Sequence, residues 1–140
     1  MIILDGNVVS EVMRPQPEPK VIAWLDRQLR ESVWLTTISI FEVRFGLLTM
    51  PAGKRRDAYT QGFENMLNRI DHRIVPFDTE AAEQASSLMA SRKIKGIPRE
   101  SRDTMIAGIV LSRHATLATR NVRDFDDISA VVVDPWSSPG

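Results

Sequence analysis

The sequence predicts an α/β fold built around a mostly parallel central sheet of about five short strands, flanked by helices. Two observations carry this prediction. Short apolar runs, too brief to be helices, recur along the chain and read as strands buried on both faces. Between them lie longer stretches whose apolar residues repeat at helical spacing, and that alternation is the pattern of a parallel sheet covered by helices. At 140 residues, with 43% apolar and 26% charged residues, the chain has the size and composition of one globular domain.

In chain order, residues 2–5 (Ile2-Ile3-Leu4-Asp5) form the first strand and end in a carboxylate. Residues 8–13 suit a turn or two of helix. Three prolines at 15, 17 and 19 make a rigid loop, since each removes a donor and restrains its predecessor. Residues 20–30 keep helical spacing through Val21, Ile22, Trp24, Leu25 and Leu29. Residues 33–36 read as the second strand. Residues 38–50 are helical, with Ile40, Phe41, Val43, Leu47 and Leu48 as the apolar face, until Pro51-Ala52-Gly53 breaks the pattern. A polar-faced helix over 54–68 turns Phe63, Met66 and Leu67 inward. Residues 74–77 make the third strand, and Asp78 or Thr79 caps a helix running to about residue 92. A basic loop with Gly96 and Pro98 spans 93–101, and a helix follows over 103–113. Its Ala107 and Gly108 are small enough for close approach to the sheet. Residues 116–119 and 131–133 complete the strands. The domain is placed at 1–136, with 137–140 as a loose tail.

Composition excludes several chemistries. There is no cysteine, hence no disulfide framework, thiolate metal site or cysteine nucleophile. No run approaches a membrane span and no signal core follows Met1, so a cytoplasmic protein is expected. Gly-rich phosphate loops, a Gly-x-Ser-x-Gly elbow and a serine–histidine pairing are all missing from the sequence. His72 and His114 show no metal-ligand spacing and read as surface residues. Eighteen basic and eighteen acidic residues cancel, which gives no support to a nucleic-acid partner by charge alone. A cation bound by acidic residues, or a basic partner protein, would change that balance.

The carboxylates carry the chemistry. Asp5 directly follows a buried strand, where ligands bind in parallel sheets; the plainer account is a helix N-cap. Glu42 has apolar neighbours, and burying it is costly unless it is paired or bound to a cation; the plainer account is an exposed side chain paired with Arg44 or with a neighbouring helix. Asp103 opens an apolar helix, where the macrodipole alone would favour it. Asn121 and Asp124 follow a strand, and turn roles would explain both. Each plain account stands for one residue. Together, several carboxylates at the ends of core elements would repel one another unless a cation neutralised them. Oxygen donors without cysteine favour magnesium or manganese over zinc.

Four segments, in this order and at these separations, give the chain a resemblance. They are Ile3-Leu4-Asp5-Gly6-Asn7-Val8-Val9-Ser10-Glu11, Thr37-Ile38-Ser39-Ile40-Phe41-Glu42-Val43-Arg44-Phe45-Gly46, Arg102-Asp103-Thr104-Met105-Ile106-Ala107-Gly108 and Leu117-Ala118-Thr119-Arg120-Asn121-Val122-Arg123-Asp124-Phe125. The chain resembles the PIN-domain ribonucleases, in particular the VapC toxins of bacterial toxin–antitoxin modules and their FitB-like branch. The resemblance implies a PIN fold and a catalytic set of Asp5, Glu42, Asp103, Asn121 and Asp124. Asp5 and Asp103 would be direct ligands of Mg2+ (Mn2+ as a substitute), and Glu42 would act through water. The chain departs from the family at Gly6, where a threonine or serine usually follows the first aspartate.

The resemblance further implies hydrolysis of RNA phosphodiester bonds and inhibition by a cognate VapB-like antitoxin. It implies a homodimer and a toxin–antitoxin hetero-oligomer, with operator DNA bound only through the antitoxin. Apolar residues around Trp24, Leu47 and Leu48 are candidates for those contacts, with core packing as the competing role. Two other readings stay open: a metal-dependent DNA or flap nuclease, and a PIN-fold protein-binding module with a weakened metal site. An aspartyl phosphatase is disfavoured because Asp5-Gly6-Asn7 lacks the second aspartate two residues on.

Overall fold

In the computed structural model, which describes residues 1–137, β1 (Ile2–Leu4) lies at the centre of an all-parallel sheet. The other strands are β2 (Val33–Thr36), β3 (Ile74–Val75), β4 (Thr116–Ala118) and β5 (Val132–Val133), in the order β3-β2-β1-β4-β5. Ile2 pairs with Val33 on one side and Thr116 on the other, and Leu4 pairs with Ala118. The chain works outward from β1 to β3, then crosses back to place β4 against the other flank of β1.

The apolar strands divide their side chains between two cores, as a sheet buried on both faces must. Leu4 and Leu35 pack with α1 (Gly6–Val12), α2 (Pro19–Asp26), α3 (Thr37–Thr49) and α4 (Lys54–Arg69) through Val8, Val9, Trp24, Val43 and Phe63. Ile3 and Leu117 pack with α5 (Thr79–Lys95) and α6 (Ser101–Ser112) through Ala81, Ile106, Ile109 and Val110. Most of the expected tail, residues 138–140, lies outside the described residues. Ser137 is held to Asp134 through its hydroxyl at 3.0 Å.

Several sequence expectations shift. The helix after the proline loop ends at Asp26, so Leu29 falls outside it and is 68% exposed. Of the apolar face expected on α3, only Val43 and Leu47 are buried; Phe41 and Leu48 are 60% and 67% exposed. Phe45 is exposed beside them, with its ring stacked 6.4 Å from that of Phe41. Trp24 and Leu47 are core residues, which leaves Leu48 alone of the three candidate contacts on the surface. Asp78 is the cap of α5, accepting from the Ala81 amide at 2.9 Å. The helix continues past residue 92 to Lys95, with Arg92, Lys93 and Lys95 complementing its carbonyl end, and stops at Gly96 in a left-handed conformation (φ 71°).

Gly108 approaches α5 rather than the sheet. A Cβ there would stand 2.5 Å from the Ala81 carbonyl oxygen and 2.7 Å from the Ala85 Cβ. Because a backbone oxygen blocks the space, α5 and α6 would have to separate to admit a methyl group. Gly108→Ala is therefore expected to cost about 2–3 kcal/mol. Urea unfolding should show a lower midpoint with an unchanged slope; an unshifted midpoint would contradict the packing.

Candidate active site

The strand order reverses between β1 and β4, and in open parallel sheets the crevice beyond the carboxyl ends of such strands is where ligands bind. Asp5 is the first residue after β1 and Thr119 the first after β4; the Leu4–Ala118 register sets them side by side. Asp5 is only 4% exposed. Its Oδ1 accepts from the Gly6 amide at 2.8 Å, so it does N-cap α1, as the plainer account expects. Its Oδ2 accepts from the Thr119 hydroxyl at 2.8 Å and the Asn7 side-chain amide at 3.3 Å. The Thr119 oxygen in turn accepts from the Asn121 amide at 3.1 Å.

Glu42 enters from α3 with its side chain 28% exposed. Arg44, its suggested partner, turns away to Glu64 at 2.8 Å and stacks over Phe63. The nearest cation to Glu42 is Arg102, at 3.9 Å. Asp103 lies in the first turn of α6 rather than opening it. The N-cap is Glu100, whose side chain accepts from the Asp103 amide at 3.2 Å. With capping done by Glu100, the Asp103 carboxylate is left to face the crevice.

Asp5, Glu42, Asp103 and Asn121 line one cleft of about 260 Å³, with Gly6, Asn7 and Ser10 between them. Asp124 does not line it. Its Oδ1 is held by Arg99 at 3.3 Å, although its charge is felt at both Asp5 and Asp103. Thr119, Asn7, Glu100 and Arg102 complete the surroundings and were not singled out in the sequence. Only the strand register and the helix start reveal them. His72 and His114 are exposed and take no part.

The electrostatics are those of a site short of positive charge. Burial, then the neighbouring Asp5 charge, raises Glu42 to about 7 and Asp103 to about 6. Burial also raises Asp5, outweighing the Thr119 and Gly6 hydrogen bonds that lower it. An all-oxygen donor set under mutual repulsion suits a hard divalent cation. Among the described residues no three acidic or histidine side chains are gathered into a ready-made metal cage. The oxygen donor set itself suits magnesium, which binds through one or two carboxylates and keeps several waters.

Raised carboxyl pKa values have a definite stability consequence. Between the ordinary values of 4.5 and 3.8 and the folded values of about 7 and 6, the folded chain holds protons that the unfolded chain has released. Raising pH through that window therefore favours unfolding. After discounting for half-exposed groups, the metal-free protein should lose about 2 kcal/mol between pH 4.5 and 7.5. Melting curves in EDTA measure this, and stability that rose steadily across the window would refute it.

Residues 2–131 match the family model of the PIN domain, and the chain belongs to the PIN-domain family. Within it, the chain is 36% identical to the VapC ribonuclease Y4jK of Sinorhizobium fredii, over 97% of this chain and 98% of that one. It is 34% identical to the toxin FitB of Neisseria gonorrhoeae, over 97% and 99% of the two chains. A solved structure of FitAB bound to an IR36 DNA fragment superposes with a TM-score of 0.88 at 33% identity, covering 100% of this chain and 99% of that one. The predicted α/β PIN fold is thus the fold observed, and its relatives are hydrolytic nucleases. Among the described residues no helix is long and apolar enough to cross a membrane.

Proposed function

We propose that this chain is the toxin of a toxin–antitoxin pair, a magnesium-dependent endoribonuclease acting in the cytoplasm on RNA phosphodiester bonds. The observation that carries the reading is the convergence of Asp5, Glu42 and Asp103 in one cleft, where Arg102, 3.9 Å from Glu42, is too little positive charge to offset them. Asp5 and Asp103 would hold the ion directly and Glu42 at one water's remove; manganese would substitute. Magnesium, when bound, supplies charge for the phosphate and lowers the pKa of water. The chain's own part is positional. Thr119 and Asn7 fix the Asp5 carboxylate, Glu100 frees Asp103 from capping, and Asn121 offers its amide at the rim of the cleft.

Inhibition and assembly follow the same charge logic. A basic side chain from an antitoxin, best an arginine with its planar fork of donors, would pair with these carboxylates. The exposed row of Phe41, Phe45 and Leu48 on α3 would receive apolar residues of a partner or a second copy in a homodimer. Operator DNA would be bound through the antitoxin, as fits the neutral charge of this chain and the DNA-bound FitAB relative. Expression without the antitoxin, followed by sequencing of RNA ends, tests the activity: new ends at a restricted set of sites are expected. Cleavage of DNA but not RNA in matched magnesium buffer would favour the DNA-nuclease reading instead.

A binding module with a weakened metal site rests on Gly6 alone. A Cβ at Gly6 would stand 3.4 Å from Glu42 Oε1, an ordinary contact, so a serine fits there with its hydroxyl beside that carboxylate. A hydrogen bond to the ionised form lowers a carboxyl pKa. Gly6→Ser is therefore expected to move the acid limb of the pH–rate profile downward while magnesium-dependent cleavage is retained. Wild-type protein inert in both magnesium and manganese would favour the binding module.

A further inference from the structure

A second cavity, of about 390 Å³, opens between the end of α5 and the first turn of α6. The turn at Gly96 and Pro98 shapes it, within the basic segment that the proposed catalytic chemistry leaves unused. Its apolar wall is Met89, Ile97 and Pro98, its charged residues are Arg92, Lys93 and Arg99, and no acidic residue lines it. Arg92 and Arg99 are paired with Asp127, Asp124 and Asp126, so Lys93 is the cation left unbalanced. The three cations differ in availability. Arg92 is committed to the fold, donating to Asp127, Thr104 and the Asp124 carbonyl. The Lys93 side chain is exposed and makes no hydrogen bond or ion pair among the described residues.

Arg99 lies between these extremes. Its terminal nitrogens reach Asp124 and Asp126 at 3.3 Å, both long contacts for charge-assisted bonds. Its Nε is buried with no hydrogen-bond partner, the one side-chain nitrogen or oxygen so left among the described residues. A buried donor without an acceptor is costly, and here it stands beside a cavity. Through Asp124, whose charge reaches Asp5 and Asp103, Arg99 also ties the cavity to the carboxylate cleft.

We propose that this cavity binds one nucleotide of the RNA strand next to the phosphate that is cut, and so helps select the cleavage site. The nucleobase lies against Met89, Ile97 and Pro98, and its phosphate is held by Arg99 and Lys93. A slot with apolar walls and cations matches the two halves of a nucleotide. This assignment rests on the ribonuclease reading above.

The test measures binding of a random-sequence 2′-O-methyl RNA dodecamer pool to the intact protein in EDTA, by fluorescence anisotropy over a salt series. Met89→Asp and Lys93→Gln both alter exposed positions, and circular dichroism checks that each variant folds. Each should weaken binding roughly tenfold, and Lys93→Gln should reduce the salt slope by about one. In magnesium, sequenced RNA ends should shift in distribution, with KM raised and kcat at saturation little changed. Unaltered affinity and unaltered cleavage sites in both variants would overturn the proposal. So would intact RNA binding with lost antitoxin affinity, which would assign the cavity to the partner protein. Wild-type protein that cuts no RNA would remove the nuclease reading, whereas the EDTA binding series judges the cavity separately.

Discussion

Asp103→Asn is expected to lower RNA cleavage by about 10³-fold or more, a loss on the order of 4 kcal/mol in the barrier. The same change should raise the melting temperature of the metal-free protein at pH 7.5. Both effects have one cause. Asp103 is held at about 6 by burial and by the Asp5 charge, so at neutral pH it is an ionised group in a site that resists ionisation. Asparagine keeps the shape and removes the charge, which relieves the repulsion and weakens the ion's hold together. Asp5→Asn should abolish cleavage likewise, although the Thr119 hydroxyl, which donates to Asp5 Oδ2, must then find another arrangement. Full activity in both variants with magnesium present would sink the site assignment. Lost activity with a lowered melting temperature for Asp103→Asn would instead mean that the carboxylate is structural.

The second large effect lies away from the cleft. Arg92 is 3% exposed, and its guanidinium makes paired bonds of 2.8 Å to both Asp127 oxygens, with Thr104 at 2.9 Å and the Asp124 carbonyl at 3.2 Å. The ion pair lowers the Asp127 pKa, chiefly through the hydrogen bond from Arg92. Arg92→Met retains the aliphatic stem but leaves Asp127 and the Asp124 carbonyl without their donor. Removing one partner of a buried pair costs about 3–5 kcal/mol, and with Asp127 partly exposed the lower end is expected. Thermal unfolding should fall by roughly 10 °C for a chain of this size. A melting point within about 2 °C of wild type would show that the pair contributes little. Substituting both Arg92 and Asp127 by apolar residues should recover part of the loss, since no charge is then stranded.

What the sequence disclosed about this site follows a physical line. Asp5 was legible because an apolar run ending in a carboxylate needs no knowledge of distant residues. Glu42 and Asp103 were legible through their segments, but their partners were not. Arg44 and Glu42 are near in sequence, yet helical geometry sends Arg44 to Glu64. Thr119 could be linked to Asp5 only by the β1–β4 register, which local pattern does not fix. Asp124 entered the expected set through the family resemblance, and its own surroundings showed only in the structure, where Arg99, arriving from another loop, holds its carboxylate. Periodicity likewise marked Phe41 and Leu48 as apolar without separating a core face from a face awaiting a partner. Arg92 marked only the expected end of a helix, and the packing of α5 against α6 makes it an anchor.

The bond between Asp5 and Thr119 joins residues 114 positions apart. The central strand is made well before its β4 neighbour and the threonine that fixes its carboxylate. At about 5–20 residues per second, translation of the intervening chain takes on the order of ten seconds. Throughout that interval the first aspartate has no completed site around it. On the proposed function, a product interrupted before residue 119 is expected to lack cleavage activity, because Asp5 then has no Thr119 hydroxyl to fix it. On the same reading, activity would begin only once the sheet is complete, and an inhibitor made alongside would have that interval in which to accumulate.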